Sequence, residues 1–89
     1  MINSKAIPLA PNHVIIKVGN ELHFYSYDSY ICTYNINSNY LTLKNNMWNY
    51  SYTTRKYFKQ FVNEYTKLSY KSKDEFIKMM DMPNIVNVA

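Results

Sequence analysis

Apolar and polar residues alternate along the first half of the chain, and short turns rich in Asn, Asp and Ser separate the alternating stretches. The stretches read HVIIKV, ELHFYSY, YICTYNI and YLTL, and MWNYSY is a candidate fifth. A period of two residues is typical of strands that bury one face, and short polar turns join antiparallel neighbours. The pattern predicts an antiparallel β-meander of four to five strands over residues 12–52.

The second half of the chain changes to the spacing of a helix. Either Thr53 or Thr54 can accept a hydrogen bond from an early N–H group and cap a helix. Apolar residues then recur at intervals of three and four, as one buried stripe: Phe58, Phe61, Val62, Tyr65 and Leu68. Ser72 and Glu75 form a capping box that predicts a second helix. We expect the helical part to span residues 54–82.

These elements predict a single small α+β domain over residues 1–89, in which two helices pack on one face of the sheet. Residues 1–11 contain two prolines and are expected to form an extended arm. Pro83 ends the second helix, because the residue before a proline is displaced from the helical region. The tail over residues 83–89 is either an edge strand or an ordered arm.

Two helices can cover only one face of so small a sheet, and the turns decide which face that is. Two-residue turns at Gly19-Asn20 and Asp28-Ser29, with a three-residue turn at 37–39, gather an aliphatic face: Ile15, Leu22, Phe24, Ile31, Leu41 and Leu43. Lys17, Ser26 and Thr33 are predicted on the same face. We expect the helices to cover it. The opposite face is expected to stay open: Val14, Ile16, Val18, Tyr25, Tyr27, Tyr30, Cys32, Tyr34 and Tyr40.

A tyrosine-rich face suits partial exposure, because the ring is apolar and the hydroxyl can remain hydrated. Exposed aromatic patches tend to mark binding sites. The sequence therefore nominates five tyrosines as partner-binding residues: Tyr25, Tyr27, Tyr30, Tyr34 and Tyr40. The alternative is that cross-strand tyrosine pairs only stabilise the sheet.

Positive charge is concentrated in the helical half. Residues 1–43 hold two lysines against two acidic residues, so the whole net charge of +4 lies in residues 44–89. Arg55, Lys56 and Lys59 stand in the first turns of the first predicted helix, where the helix dipole disfavours cations. Free N–H groups and cations together suit an anion, so these three residues are also candidate partner-binding residues. The alternative is a weak repulsion that solvent tolerates.

The residues needed for catalysis or metal binding are sparse. His13 and His23 are predicted on opposite faces of the sheet, and Cys32 is the only cysteine. No motif with the spacing of metal ligands is present, so we expect no metal, no cofactor and no enzymatic activity. A lone cysteine fits a reducing cytosol, and neither a signal peptide nor a membrane span is indicated.

Residues 22–65 resemble small domains, with no assigned activity, of bacteriophage and prophage genomes. The resemblance rests on FYSYDSYICTY, YLTL and WNYSYTTRKYFKQFV, and on a Ser-Tyr-x-[Ser/Thr]-x-Ile turn before a Tyr-Ser-x-Thr-Thr helix entry. The matching positions are Ser26, Tyr27, Ser29, Ile31, Ser51, Thr53, Thr54 and Arg55. Tyr57 stands where those domains usually carry a histidine. The resemblance implies a phage-encoded protein in the cytoplasm of an infected bacterium.

Three functions remain open at this point. The preferred one is a non-enzymatic inhibitor-type binder of a host defence or nucleic-acid-processing protein, similar in action to an anti-CRISPR protein. The second is a single-stranded nucleic-acid-binding protein that uses sheet tyrosines and helix lysines. The third is a small homo-oligomeric structural phage protein.

Overall fold

The computed structural model describes residues 4–89 and contains one six-stranded sheet with two helices. The strands lie in chain order and are β1 (Ser4–Ala10), β2 (His13–Val18), β3 (Glu21–Ser26), β4 (Ser29–Asn35), β5 (Tyr40–Leu43) and β6 (Val86–Val88). The helices are α1 (Tyr52–Tyr65) and α2 (Lys73–Met80), and a single 3₁₀ turn (Met47–Asn49) precedes them. All neighbouring strands are antiparallel except β5 and β6, which are parallel. The predicted α+β fold is confirmed, with a sheet slightly larger than expected.

Both chain ends add strands to the predicted meander. The predicted N-terminal arm is β1, which pairs with β2, although residues 1–3 of the arm lie outside the described residues. The tail is β6, so the edge-strand alternative is confirmed. Its register is held by hydrogen bonds of 2.8 Å from the Leu41 N–H to the Ile85 carbonyl and from the Ala89 N–H to the Leu43 carbonyl.

The predicted fifth strand over MWNYSY is wrong. Trp48 is only 4% exposed, and its ring lies 4.7 Å from the Phe76 ring and 5.8 Å from the Phe58 ring. The chain therefore leaves the sheet after β5 and forms a 3₁₀ turn that carries Trp48 into the space between the helices.

The helix starts are defined by serine caps. Ser51, and not Thr53 or Thr54, is the N-cap of α1, and its hydroxyl accepts a hydrogen bond of 3.1 Å from the Thr54 N–H. Ser72 caps α2 as predicted, because its hydroxyl accepts from the Glu75 N–H at 3.2 Å. The start of α1 is thus two to three residues earlier than the sequence indicated.

The core lies between the helices and one face of the sheet, and that face is the predicted aliphatic one. Phe24 at the centre of β3 stacks on Phe61 of α1 with ring centroids 5.2 Å apart. The six predicted aliphatic-face residues are all buried: Ile15, Leu22, Phe24, Ile31, Leu41 and Leu43. Burying a side chain of this size contributes about 1.5–3 kcal/mol, so this layer is the main source of stability.

A β-bulge in β4 changes which side chains of that strand face the core. The β3–β4 turn is Tyr27-Asp28, with φ angles of 50° and 67°, so Ser26 pairs with Ser29. Further along, both Ile31 and Cys32 lie opposite Phe24, and both are buried. One extra residue on one strand reverses the alternation beyond it.

The predicted faces of Cys32, Thr33 and Tyr34 are therefore wrong. Cys32 and Tyr34 lie in the core, and Thr33 lies on the face away from the helices. The β4–β5 loop spans four residues, 36–39, and not three, so Tyr34 pairs with Leu41 on the core side. The bulge reverses the alternation once and the extra loop residue reverses it again, so Leu41 and Leu43 stay on the predicted face.

Candidate functional site

The open face is the side of the sheet that the helices do not cover, and it holds three of the five nominated tyrosines. Tyr25, Tyr30 and Tyr40 lie on it and are half-buried. Tyr25 and Tyr30 are cross-strand partners, with ring centroids 5.7 Å apart. Alongside them, β2 presents three aliphatic side chains, which are also half-buried: Val14, Ile16 and Val18. The middle of this face is therefore aromatic and aliphatic.

Tyr27 and Tyr34 are not on the open face. Tyr27 is 54% exposed in the β3–β4 turn, where its ring meets the His13 ring edge to face at 5.2 Å. Tyr34 is 2% exposed, and its hydroxyl accepts a hydrogen bond of 3.2 Å from the Lys67 N–H and donates to the Asn39 side chain. The bulge in β4 is the reason that Tyr34 is a core residue.

A chain of hydrogen bonds crosses the open face beside the tyrosines. The Tyr30 hydroxyl bonds Thr33 Oγ1, which lies 3.0 Å from His23 Nδ1. His23 Nε2 donates to Glu21 Oε1 at 3.1 Å. Burial raises the pKa of Tyr30, and this outweighs the lowering by its bond to Thr33. Sequence reasoning missed this chain because it predicted Thr33 on the other face.

The residues of this hydrogen-bond chain are of the types found in acid–base relays. Both ring nitrogens of His23 are already occupied, one by Thr33 and one by Glu21. These bonds fix the orientation of Tyr30 and leave polar atoms among apolar side chains.

A second, buried chain of hydrogen bonds accounts for the motif residues. Because a carbonyl oxygen only accepts, His13 Nδ1–H donates to the Pro11 carbonyl at 2.9 Å, and Nε2 accepts from the Ser26 hydroxyl at 3.0 Å. Ser26 Oγ in turn lies 3.0 Å from Thr54 Oγ1, which accepts from the Ser51 hydroxyl at 3.1 Å. Each hydroxyl or imidazole donor in this series donates to one acceptor.

This buried chain is structural. His13 and Ser26 are 2% and 3% exposed, so no substrate reaches the serine hydroxyl. The Tyr57 ring covers the imidazole with centroids 4.4 Å apart. Ser26, Ser51 and Thr54, three positions of the phage-like motif, thus hold β3 against the start of α1.

The basic pocket is a cavity of about 340 Å³ between the start of α1 and the start of α2, on the helix side of the molecule. It is lined by five cationic side chains: Arg55, Lys56, Lys59, Lys71 and Lys73. Three aromatic rings complete its wall: Trp48, Tyr52 and Tyr70. The structure therefore brings all three nominated cations together, and adds two lysines from the second helix start.

The cations of the basic pocket have no acidic partner in the described chain. Between residues 4 and 89 the single ion pair is His23 with Glu21, on the other side of the sheet. Arg55 donates to Asn49 Oδ1 at 3.3 Å and lies 6.0 Å from the centre of the Tyr52 ring. Lys59 Nζ donates to the Lys71 carbonyl at 2.7 Å, which links the two helix starts.

Sequence reasoning located one half of this pocket. The signal in the sequence was the unfavourable position of Arg55 and Lys56 at the positive end of the helix dipole. Lys71 and Lys73 gave no such signal, because only the packing of α2 beside α1 brings them close. Trp48 was assigned to a strand, so its place in the wall was also missed.

The described part of the chain offers no cluster of three potential metal ligands. None of its helices has the length and apolarity needed to span a membrane.

Comparison with curated proteins and with solved structures gave no match. A protein-family model, described as a family of unknown function, matches residues 2–78, which is most of the chain. The protein therefore belongs to the DUF8033 family of unknown function.

Proposed function

We propose that this protein is a non-enzymatic interaction protein that docks on a partner protein through the open face of its sheet. The observation that carries the proposal is the composition of that face. Among the described strand residues, the register gives this face one acidic side chain, Glu21, and no lysine or arginine, while Asp28 of the β3–β4 turn lies at one end of it. Protein interfaces are depleted of charge at their centre and enriched in tyrosine.

The shape of the face supports the same occupant. An open hollow of about 710 Å³ lies at one end, and its lining includes Pro8, Val14, Ile16 and Tyr25. A protruding apolar side chain of a partner would fill such a hollow and lose little to desolvation. The ordered hydroxyl of Tyr30 gives the partner a fixed polar atom beside it.

The setting that we favour follows from the phage-like motif. In that setting the protein acts in the cytoplasm of an infected bacterium and inhibits a host defence or nucleic-acid-processing protein, as an anti-CRISPR protein does. Inhibition by occupying a surface requires only the complementary face, which fits a small chain with both histidines fully engaged in hydrogen bonds.

A second candidate function is the binding of single-stranded nucleic acid. Sheet tyrosines and helix lysines lie on opposite sides of the molecule, so they form no common platform. Tyr50 and Tyr52, however, are 73% and 72% exposed, and Tyr52 lies beside Arg55. Aromatic rings next to cations suit stacked bases and phosphates, so a strand would contact these two tyrosines.

The test is capture of partners from infected and uninfected host lysates with matched variants. Ile16→Lys and Tyr40→Lys place a charge on the open face, and Lys56→Glu changes the helix side. We expect a partner from infected or uninfected cells to be lost by both open-face variants and kept by Lys56→Glu. Circular dichroism establishes that each variant is folded.

Three results would contradict the proposal. Loss of the partner with Lys56→Glu alone would assign the docking surface to the basic pocket. Salt-sensitive, submicromolar binding of labelled single-stranded DNA that carries no 5′-phosphate would favour the second candidate. A dimer in light scattering that Ile16→Lys dissociates would show that the open face binds a second copy of the chain, as expected for an oligomeric structural protein.

A further inference from the structure

The basic pocket concentrates positive charge that the described chain does not neutralise. Lys56, Lys59, Lys71 and Lys73 are exposed at its mouth, and Arg55 is half-buried. Five cations around one cavity of about 340 Å³ repel one another, and an anion that enters reverses the sign of that interaction. The pocket is therefore arranged for a negatively charged ligand.

An unpaired hydrogen-bond donor lies in the same wall. Trp48 is 4% exposed, and its Nε1 is the one buried side-chain nitrogen or oxygen without a hydrogen-bond partner among residues 4–89. Buried polar groups are nearly always paired, since an unpaired one loses its bonds to water without replacement. Because Trp48 also lines the cationic cavity, a ligand bound there is the available source of an acceptor atom for this donor.

The start of α2 adds further donors at this place. Ser72 lines the pocket and uses its hydroxyl to cap the Glu75 N–H. The preceding N–H groups of the first turn have no intrahelical acceptor. Asp74 and Glu75 in that turn are exposed and lie outside the pocket lining. Helix N–H groups, lysines and an indole N–H together match the oxygens of a phosphate group.

The aromatic wall indicates what carries the phosphate. Tyr52 is 72% exposed at the rim, next to Arg55, while Tyr70 and Trp48 are buried deeper. A bare inorganic ion makes no use of such rings, whereas a nucleobase stacks on them. The cavity is also within the lower range of volumes that hold small organic ligands.

We propose that the basic pocket is a nucleotide-binding site, with the phosphate among the five cations and the base against Tyr52. The site lies on the helix side, so it is independent of the docking surface proposed for the open face. A nucleoside monophosphate and the 5′-phosphorylated end of a nucleic-acid strand present the same chemistry to it.

Trp48 supplies the experiment, because it is the only tryptophan of the chain. Its fluorescence, excited selectively over tyrosine, is followed while AMP, inorganic phosphate or adenosine is added at constant ionic strength. We expect a saturable change with AMP at an affinity about tenfold or more above those of phosphate and adenosine. Equal affinities for AMP and phosphate, or no saturable change with AMP, would overturn the proposal.

Variants separate the site from nonspecific charge. Lys56→Ala and Lys73→Ala remove one cation from each side of the pocket, and Lys17→Ala removes an exposed lysine from β2. We expect the first two to weaken AMP binding about tenfold each and the third to leave it unchanged. Trp48→Phe keeps an aromatic ring but replaces the indole and so deletes the donor, and calorimetry is expected to show weaker AMP binding. An effect of Lys17→Ala equal to the others would overturn the site.

The two sources of phosphate are compared directly. Short single-stranded oligonucleotides are tested with and without a 5′-phosphate. Tight binding that requires the 5′-phosphate assigns the site to strand ends, and binding of AMP alone assigns it to free nucleotides. If no nucleotide binds while partner capture by the open face persists, only the nucleotide proposal is lost.

Discussion

The hydroxyl groups of Ser26 and Thr54 lie 3.0 Å apart, and this contact joins the end of β3 to the first turn of α1. Ser26 belongs to the Ser-Tyr-x-[Ser/Thr]-x-Ile motif and Thr54 to the Tyr-Ser-x-Thr-Thr motif, and the two motifs are far apart in the sequence. Their contact aligns α1 with the sheet, and it thereby places Arg55, Lys56 and Lys59 beside the start of α2. These motif residues thus stabilise the packing of α1 on the sheet.

Thr54→Val should destabilise the protein by about 1–3 kcal/mol, because it leaves the hydroxyls of Ser26 and Ser51 without their buried partner. Urea denaturation measures the change in free energy of unfolding. Thr53→Val, at a half-buried position in the same turn, is the control and should change it far less. A double-mutant cycle with Ser26→Ala should give a coupling above about 0.5 kcal/mol. Equal effects of the two threonine variants would contradict this account.

Tyr34→Ala should lower the free energy of unfolding by about 3–5 kcal/mol, because the ring is 2% exposed in the core. Tyr34→Phe removes only the hydroxyl that bonds Asn39 and the Lys67 N–H, and should cost about 1–3 kcal/mol. Tyr40→Ala on the open face is the comparison and should cost less than Tyr34→Ala. Thermal and urea unfolding of the three variants test this order of stabilities, and a near-neutral Tyr34→Ala would contradict the burial of Tyr34 that the bulge in β4 produces.

The Cys32 thiol should be inert in the folded protein. It is fully buried, and burial raises its pKa well above the usual value, so the reactive thiolate is scarce. A chromogenic disulfide reagent should react slowly with the native chain at neutral pH and rapidly after denaturant is added. Rapid labelling of the native chain would mean that Cys32 faces solvent, as the alternation without a bulge predicts.

Stability should fall at alkaline pH. Burial raises the pKa of Tyr30 and of Tyr70 above the ordinary value of 10.0. The folded state therefore holds these protons more tightly than the unfolded state, so their contribution is complete below about pH 10 and is lost as the pH rises through the folded pKa values. Denaturation curves at several pH values measure the trend. Tyr70→Phe should flatten it, and an unchanged slope in that variant would contradict the assignment to Tyr70.

The sequence was sufficient for the elements that depend on local signals. Alternation located β2, β3 and β5, and the capping box of Ser72 and Glu75 located α2. Local signals do not predict a β-bulge. In β4 two residues lie opposite Phe24, and this bulge moves Tyr34 from one face of the sheet to the other. Pairing of β6 with β5 depends equally on contacts between distant segments.

The candidate site was predictable to a similar degree. Arg55 and Lys56 are candidate site residues from sequence alone, because they oppose the helix dipole. Tyr25 is assigned to the open face by the alternation of side chains along the hairpin. The basic pocket as a cavity was not predictable, because Trp48 and Lys73 approach Arg55 only after the two helices have packed. Its unpaired indole N–H is likewise a property of the folded chain.

Hydroxyl-radical footprinting of the chain, free and bound to its captured partner, tests the docking proposal most directly, because it reports the exposure of each tyrosine side chain. The account predicts that Tyr25, Tyr30 and Tyr40 lose reactivity in the complex while Tyr50 and Tyr52 keep theirs. Protection of Tyr50 and Tyr52, with the three open-face tyrosines unchanged, would contradict it.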